Sequence, residues 1–431
     1  MFYNNFGGVM EREILHVDVN NAFLSWTAVE RLKNGDNLDI RKIPSAICGD
    51  ENKRSGIILA KSPLAKSVGV VTGETIYQAM KKCPNLALFK PDFSKYREYS
   101  NSLYKLLSEY TYKIERFSID ECFLDMTGFL MNETLLQKAI EINKRVKEEL
   151  SFTVNIGVSC NKLLAKMASD FTKPDKIHTL YRNEIKTKMW PLDISELFMI
   201  GRKSVPKLNA MGIYKIGDLA NYDKLSITKR LGKFGTMIWE FANGIDESEV
   251  NFIKEKPKSI GNSVTLPIDI SNKEKIEGVL LSLVEQVAYR LRKEELLATV
   301  ATVQLRTHDF KDITHQAKLN FATSNTNKIY EKAKEIFEEM YVFPVPVRLI
   351  GFRLEKLTEK EGQFSLFGDE SKDSNLDKTL DELKEKYGFN QIKKAGELNI
   401  YDLHWNNRNW HLIFIVKSYL YCIFIRKVQV E

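Results

Sequence analysis

The sequence is poor in the residues that define disulfide-rich, fibrous and low-complexity proteins. Its 431 residues include five cysteines, which are widely scattered and form no Cys-x-x-Cys pair. A disulfide framework and a thiolate zinc site are therefore unexpected. Glycine (22) and proline (11) are too scarce for a collagen-like or low-complexity chain. Free thiols fit a reducing compartment, and residues 1–13 have no apolar signal core, so we expect a cytoplasmic protein.

Long apolar runs are also scarce. The run at 410–425 contains Lys417 and is shorter than the roughly 20 residues that a membrane-spanning helix needs. We therefore expect no membrane association, and we assign no function to residues 398–431. Apolar residues make up 43% of the chain and charged residues 28%, which is typical of globular proteins. The length implies roughly two to four modules, because one hydrophobic core does not grow to this size.

The net charge is modest, but its distribution is uneven. The chain carries 64 Lys and Arg against 57 Asp and Glu, a net charge of +7. Between Arg182 and Gly235 there are eleven basic residues against five acidic ones, and between Arg41 and Lys66 six against two. Two separated basic stretches on a nearly balanced chain favour binding of a long polyanion across several modules.

The hydrophobic pattern predicts two α+β lobes. In the first, strands at Glu13–Val19 and Thr153–Ser159 alternate with helices at Asn20–Arg31 and Asn161–Phe171. With two short strands around Ser118–Glu121, this order predicts a ferredoxin-like sheet with helices packed on one side. The Gly-, Pro- and Lys-containing stretch after the first helix would form a separate small lobe.

The second half predicts a different arrangement. Residues 191–244 form short helical pieces punctuated by glycine, and the charged, Pro-containing stretch 251–261 is interpreted as a linker. Strands and helices alternate again over 259–357 and predict the second α+β lobe. The polar residues 359–375 are expected to be disordered.

Three carboxylates are the first candidates for chemistry. Asp18 ends an otherwise apolar strand, and Asp120 and Glu121 lie between two short strands. Adjacent strand residues point to opposite faces, so a turn or bulge is needed for both to face one site. Three converging carboxylates are costly without a cation, whereas two divalent ions, Mg²⁺ or Mn²⁺, would neutralise them and align a phosphoryl displacement. The alternative is that Asp18 caps the following helix and that the pair occupies a solvated turn.

Four segments together carry a family resemblance, and they occur in order and at suitable spacing. They resemble the Y-family DNA polymerases, the bacterial lesion-bypass enzymes of the DNA polymerase IV and UmuC type. The resemblance extends over roughly Glu13–Leu357. The four segments are His16–Phe23, Phe117–Asp125, Asn155–Asp175 and Met199–Leu208.

The resemblance implies a multi-domain α+β fold: a ferredoxin-like palm, small fingers, a thumb with a helix-hairpin-helix, and a separate α+β little finger. The expected domains are palm 1–23 and 91–180, fingers 24–90, thumb 181–250, linker 251–260, little finger 261–357 and tail 358–431.

The same resemblance implies roles for individual residues. Asp18, Asp120 and Glu121 match the catalytic, metal-binding carboxylates, and the Val19 carbonyl would be a further metal ligand. Phe23 matches the aromatic steric gate that fills the space of a ribose 2′-hydroxyl; the alternative is a core aromatic on the first helix.

The residues expected to bind the incoming nucleotide match the family pattern less completely. Lys173 matches the lysine that holds the incoming triphosphate, although an isolated lysine is usually solvated surface. In the finger segment, Lys66 falls where a basic residue contacts the phosphates, and Ile57 is expected over the templating base. Pro63 stands where many family members carry a tyrosine that also contacts the phosphates. One of these phosphate contacts is therefore missing or is supplied by another residue.

Two further segments are candidates for contacts with larger partners. Ile200, Gly201, Arg202 and Lys203 resemble the hairpin of a helix-hairpin-helix, with a helix beginning near Lys203, which would bind DNA phosphates without reading sequence. The alternative is a glycine C-cap between ordinary helices. The second segment resembles the peptide that binds the bacterial sliding clamp, or it packs against the protein's own core. Its residues are Gln363, Phe364, Ser365, Leu366 and Phe367.

The predicted function is translesion DNA synthesis, in which the enzyme adds deoxynucleotides to the primer 3′-OH of primer-template DNA. The reaction would use two Mg²⁺ ions, or Mn²⁺ in their place. Low fidelity and no proofreading are expected. A monomer that engages the sliding clamp is expected. Two alternatives are a catalytically inactive DNA-binding scaffold and a nucleotide cyclase on a palm-like sheet.

Overall fold

The computed structural model describes residues 11–50, 56–253, 255–359, 370–389, 392–394, 410–413 and 421–426. The chain divides into two compact units, Met1–Lys254 and Glu255–Glu431. Among the described helices, none combines the length and the apolar character that a membrane crossing requires. Each described unit contains α and β elements, which agrees with the predicted fold class.

The first unit is organised around a five-stranded sheet with the order β5-β6-β1-β7-β8. The central strand β1 is antiparallel to both β6 and β7, and all six of its residues are buried. The inner strands β1 and β6 of the sheet position the candidate site residues Asp18 and Glu121. Its strands are β1 (Ile14–Val19), β5 (Ile114–Arg116), β6 (Glu121–Asp125), β7 (Val154–Ser159) and β8 (Ile177–Thr179).

Three helices cover one face of this sheet: α1 (Ala22–Lys33), α4 (Phe93–Leu107) and α5 (Leu135–Arg145). Their apolar side chains pack on Leu15, Val17 and their neighbours in one large core. A capping box starts α5, where the Thr134 side chain accepts from the backbone of Gln137.

The expectation that all helices pack on one side of the sheet is wrong. Helix α6 (Lys162–Asp170) lies on the opposite face, where Ala165 packs with Ile14 and Phe123. This approach requires Gly157 in β7, because a Cβ at that position would lie 1.8 Å from the carbonyl oxygen of Ala165. The sequence predicted a helix at Asn161–Phe171, but not the face of the sheet that it covers.

A small lobe and a helical segment complete the first unit. The lobe contains a three-stranded sheet, β3-β2-β4, with two short helices packed on it. The helical segment has its own core, which α6 shares. The elements are β2 (Ser45–Cys48), β3 (Ile58–Lys61), α2 (Pro63–Ser67), α3 (Ile76–Lys82), β4 (Ala87–Phe89), α7 (Val205–Asn209), α8 (Ile216–Ala220) and α9 (Lys224–Ala242).

The second unit contains a four-stranded antiparallel sheet with the order β11-β10-β12-β9. Two helices pack on one face and form the core with it, while the other face carries no helix among the described elements. The elements are β9 (Ser259–Ile270), α10 (Lys273–Lys293), β10 (Leu296–Thr307), β11 (Asp312–Thr323), α11 (Thr326–Met340) and β12 (Val347–Glu359).

The boundaries of this unit differ from the prediction in three places. Strand β9 begins at Ser259, where the second α+β lobe was predicted to begin, so the last two residues of the expected linker domain 251–260 belong to the sheet. Strand β12 continues to Glu359, and helix α12 (Glu370–Tyr387) includes residues that were expected to be disordered. Two ion pairs anchor α12: the buried Lys384 donates to Glu285 over 2.9 Å, and the half-buried Arg292 pairs with Asp381 over 2.6 Å. Three short strands follow: β13 (Ile392–Lys394), β14 (Trp410–Ile413) and β15 (Tyr421–Arg426).

We predict that Gly157→Ala destabilises the first unit by about 1–3 kcal/mol or more, because the new methyl group overpacks against α6. Thermal unfolding of the full chain measures the effect. Gly201→Ala is the matched control, since no heavy atom lies within 4 Å of its virtual Cβ. Equal melting temperatures for Gly157→Ala and the unmodified protein would contradict the close contact between α6 and β7.

Candidate active site

The three predicted carboxylates lie at one end of the central strands. Asp18, near the end of β1, stands opposite Glu121, the first residue of β6. The Asp120 carbonyl accepts the Val19 amide over 3.0 Å, which ties the turn before β6 to the end of β1. The amides of Phe117 and Ser118 both donate to the Glu121 carbonyl. This irregular turn satisfies the requirement for a break between Asp120 and Glu121.

The carboxylates are not equally exposed. Asp18 is buried, and burial raises its pKa to about 6 although the nearby ammonium of Lys173 lowers it in part. Asp120 is half-buried and accepts from the Ser118 hydroxyl over 2.6 Å. Val19 is buried at the end of β1.

Two lysines neutralise the buried Asp18 and the half-buried Glu121. Lys166 of α6 places its Nζ 2.6 Å from Glu121 and 3.8 Å from Asp18. Lys173 donates to Asp18, and its Nζ also lies 2.8 Å from Asp170. The role of Lys166 was missed from the sequence, where the only signal was a lysine among the apolar residues of the predicted helix.

Within the described part of the chain, no three His, Cys, Asp or Glu side chains are arranged to hold a metal ion directly. The donor set nevertheless fits a hard cation, because carboxylate oxygens are the ligands that Mg²⁺ and Mn²⁺ prefer. The Lys166 ammonium already occupies a cation position between Asp18 and Glu121. Asp18 and Glu121 therefore lie close together, and protein cations balance their charge.

Two buried asparagines fix the loop that carries Lys173. Asn20, which follows β1, donates to Asn155 of β7 over 3.0 Å and accepts the amide of Asp175 over 2.8 Å. Asn155 donates to the carbonyl of Thr172 over 2.7 Å. Sequence reasoning missed both asparagines, although polar residues inside or next to apolar strands were a visible signal.

Phe23 lies in the first turn of α1 and is half-buried. Its ring stacks on Tyr96 at 4.7 Å between centroids and 11° between planes, and it meets the Phe93 ring edge-on. The Tyr96 hydroxyl is 2.8 Å from the hydroxyl of Thr27, which in turn donates to the Phe23 carbonyl. The ring is therefore held on a rigid aromatic platform.

The predicted finger residues lie in and next to the small lobe. Ile57 and Lys66 are exposed, and Pro63 is the first residue of α2. Lys61, which the sequence analysis did not assign, donates to Thr72 over 2.9 Å. Burial and the charge of Lys66 both lower the pKa of Lys61, so the lobe carries two neighbouring ammonium groups.

The predicted hairpin forms a turn between buried Ile200 and helix α7. Gly201, Arg202 and Lys203 are exposed, and the helix begins at Val205, not near Lys203 as expected. Arg202 and the loop around Thr72 in the small lobe line a cavity of about 420 Å³.

A second apolar–Gly–basic turn interrupts α9 at Gly232, whose φ is +63°. Sequence reasoning missed this turn, although Leu231 and Lys233 repeat the pattern of the first hairpin. The predicted clamp peptide, Gln363–Phe367, lies outside the described residues.

Comparisons with known proteins agree with this architecture. The impB/mucB/samB family matches residues 17–170, its C-terminal domain residues 257–366, and the helix-hairpin-helix motif of the IMS family residues 182–213. DNA polymerase IV of Clostridium acetobutylicum is 48% identical over 90% of this chain and 98% of its own length. DNA polymerase IV of Acetivibrio thermocellus is 38% identical over 90% of this chain and 97% of its own length.

A solved Y-family DNA polymerase chimera matches with a TM-score of 0.69 at 24% identity, over 81% of this chain and all of the other. This likeness confirms the predicted fold class. As the sequence motifs predicted, the chain belongs to the Y family of DNA-directed DNA polymerases, the translesion enzymes of the DNA polymerase IV type.

Proposed function

We propose that Asp18, Asp120 and Glu121 form the catalytic centre, where a primer 3′-OH is joined to an incoming deoxynucleotide. The observation that supports this most directly is the pairing of buried Asp18 with half-buried Glu121 across two strands, beside the turn that carries Asp120. The family generally uses metal ions. With the Val19 carbonyl, the carboxylates would hold two Mg²⁺ ions, which supply charge neutralisation of the phosphoryl group and of the leaving pyrophosphate.

The neighbouring residues would orient the substrates, which are a DNA template and deoxynucleoside triphosphates. Lys173 is a cation on a loop held by buried amides, so it would bind the triphosphate at a fixed distance from Asp18. Lys66 would add a second phosphate contact from the small lobe, and Ile57 would cover the templating base. Phe23 would exclude a ribose 2′-hydroxyl.

We expect Asp120→Asn and Glu121→Gln each to abolish primer extension, because each removes a negative charge from the centre. Binding of primer-template DNA should be largely retained, since it depends on other modules. Asp125→Asn is the matched control, because Asp125 lies at the far end of the same strand. Unmodified extension rates in either of the first two variants would refute the assignment of the catalytic centre.

Phe23→Ala should raise ribonucleotide insertion steeply while deoxynucleotide insertion stays within about tenfold, since the carboxylates remain. The alternative, that Phe23 is only a core aromatic, predicts a stability loss of about 3–5 kcal/mol without a change in sugar preference. Phe152→Ala provides the reference for that behaviour, because Phe152 is 1% exposed in the same core. Insertion efficiencies for both sugars and the melting temperature separate the two outcomes.

DNA would be held by phosphate contacts on two surfaces. The first is the exposed turn at Gly201–Lys203, which can approach a backbone without reading bases. The second is the helix-free face of the β9–β12 sheet. Its arginines are paired with carboxylates, Arg306 with Asp312 over 2.8 Å and Arg353 with Glu355 over 2.6 Å. Phosphates would replace these carboxylates when DNA binds, so the affinity would depend strongly on salt.

We infer that Gln363–Phe367 binds the bacterial sliding clamp and that the enzyme acts as a monomer. Replacing Leu366 and Phe367 with Ala should weaken clamp binding by ~2–4 kcal/mol, because these side chains would be the apolar anchors. Processive synthesis with the clamp should fall while distributive synthesis persists. Ser365→Ala, which leaves the anchors in place, is the control. Unchanged clamp binding in the double variant would show that the segment has another role.

Membership of the polymerase family argues against both alternatives, the inactive scaffold and the nucleotide cyclase. The proposal further includes low fidelity without proofreading, since the sequence assigns no segment to an exonuclease.

A further inference from the structure

Lys166 is a buried ammonium group in the middle of the candidate catalytic centre. Only 8% of the residue is exposed. Its Nζ lies 2.6 Å from Glu121, 3.1 Å from Asp170 and 3.8 Å from Asp18. Burying an ammonium group is costly unless carboxylates surround it, and here three of them do. The three carboxylates therefore surround a cation as they would surround a metal ion, but the cation is the Lys166 ammonium group.

Lys166 is less free to leave this position than Lys173. The latter lies on a loop with a side chain that is 38% exposed, whereas the Lys166 side chain is 11% exposed. Lys166 also belongs to α6, which the contact between Ala165 and Gly157 fixes against the sheet. Its charge is therefore a permanent feature of the centre.

An ammonium group and a divalent ion compete for the same carboxylate oxygens. The positive charge of Lys166 also repels any cation bound at Asp18 or Glu121, and this repulsion is weakly screened in a buried site. Conversely, without Lys166 the carboxylates would repel one another when no metal is bound.

We propose that Lys166 is an internal counter-cation that keeps Asp18 and Glu121 assembled in the metal-free enzyme and thereby weakens divalent-ion binding until the nucleotide contributes its own negative charge. This inference rests on the proposed function of the two carboxylates as metal ligands. It assigns to Lys166 a positioning role that is distinct from the triphosphate contact proposed for Lys173.

The test is Mn²⁺ binding to the full-length enzyme without DNA or nucleotide, measured from the electron paramagnetic resonance signal of free Mn²⁺. Lys166→Met should bind Mn²⁺ at least about tenfold more tightly, because a nearby positive charge is removed. Lys162→Met is the matched control. Lys162 lies one turn earlier on α6, and its Nζ is 2.6 Å from Glu115, so its removal should change Mn²⁺ affinity less than about twofold.

Thermal unfolding provides a second readout. In EDTA, Lys166→Met should melt below the unmodified enzyme, and Mn²⁺ should restore more stability to this variant than to Lys162→Met. Lys166→Arg keeps the charge and should retain the weak Mn²⁺ affinity. Unchanged or weaker Mn²⁺ binding by Lys166→Met would overturn the proposal, as would its failure to fold in Mn²⁺, since the divalent ion should replace the lost charge.

Glu121→Gln distinguishes this inference from the proposed function on which it rests. If Glu121→Gln does not weaken Mn²⁺ binding to the Lys166→Met enzyme, the ion is not bound at this centre and the metal-site assignment itself fails. If it does weaken binding while Lys166→Met alone has no effect, the metal site stands and the counter-cation role of Lys166 is wrong.

Discussion

The constraint on which the first unit depends is the placement of two like charges opposite each other on adjacent strands. Asp18 and Glu121 are paired in the register of β1 and β6. Burial raises the pKa of Asp18, and the negative charge of Glu121 raises it further. This end of the sheet is stable only if cations lie beside the two carboxylates. The lysines at 166 and 173 meet that requirement, and both lie within one short stretch of chain, on α6 and on the loop that follows it.

The position of α6 follows from the same requirement. To reach Glu121, the helix must lie on the face of the sheet opposite α1, α4 and α5, close enough that β7 tolerates only glycine at position 157. Its last turn is fixed by Ser169, whose hydroxyl is 2.8 Å from the buried ring of His16. Strand β1 is consequently covered on both faces, which explains why all six of its residues are buried, including Asp18 next to its end.

Much of this could be predicted from the sequence, and the failures have a common cause. Motifs are local, so the strand that carries Asp18 and the turn at Asp120 were predictable. A helical pattern predicts that α6 forms, but not which face of a sheet it covers, and seven consecutive residues of this helix are buried. The roles of Lys166, Asn20 and Asn155 arise from contacts between segments more than 40 residues apart in sequence. No periodicity encodes such contacts, although a polar residue inside a buried pattern shows that a partner must exist.

The aromatic cluster around Phe23 shows that core packing and selection of a substrate are compatible uses of one side chain. A ring can exclude a hydroxyl group only if it cannot move aside, and an isolated exposed phenylalanine would move at little cost. Stacking on Tyr96 restrains the ring, and the Tyr96 hydroxyl is itself tied through Thr27 to the backbone of Phe23. The packing that would mark Phe23 as a core residue is therefore also what the proposed steric gate requires, and the two interpretations differ only in the consequence of removing the ring.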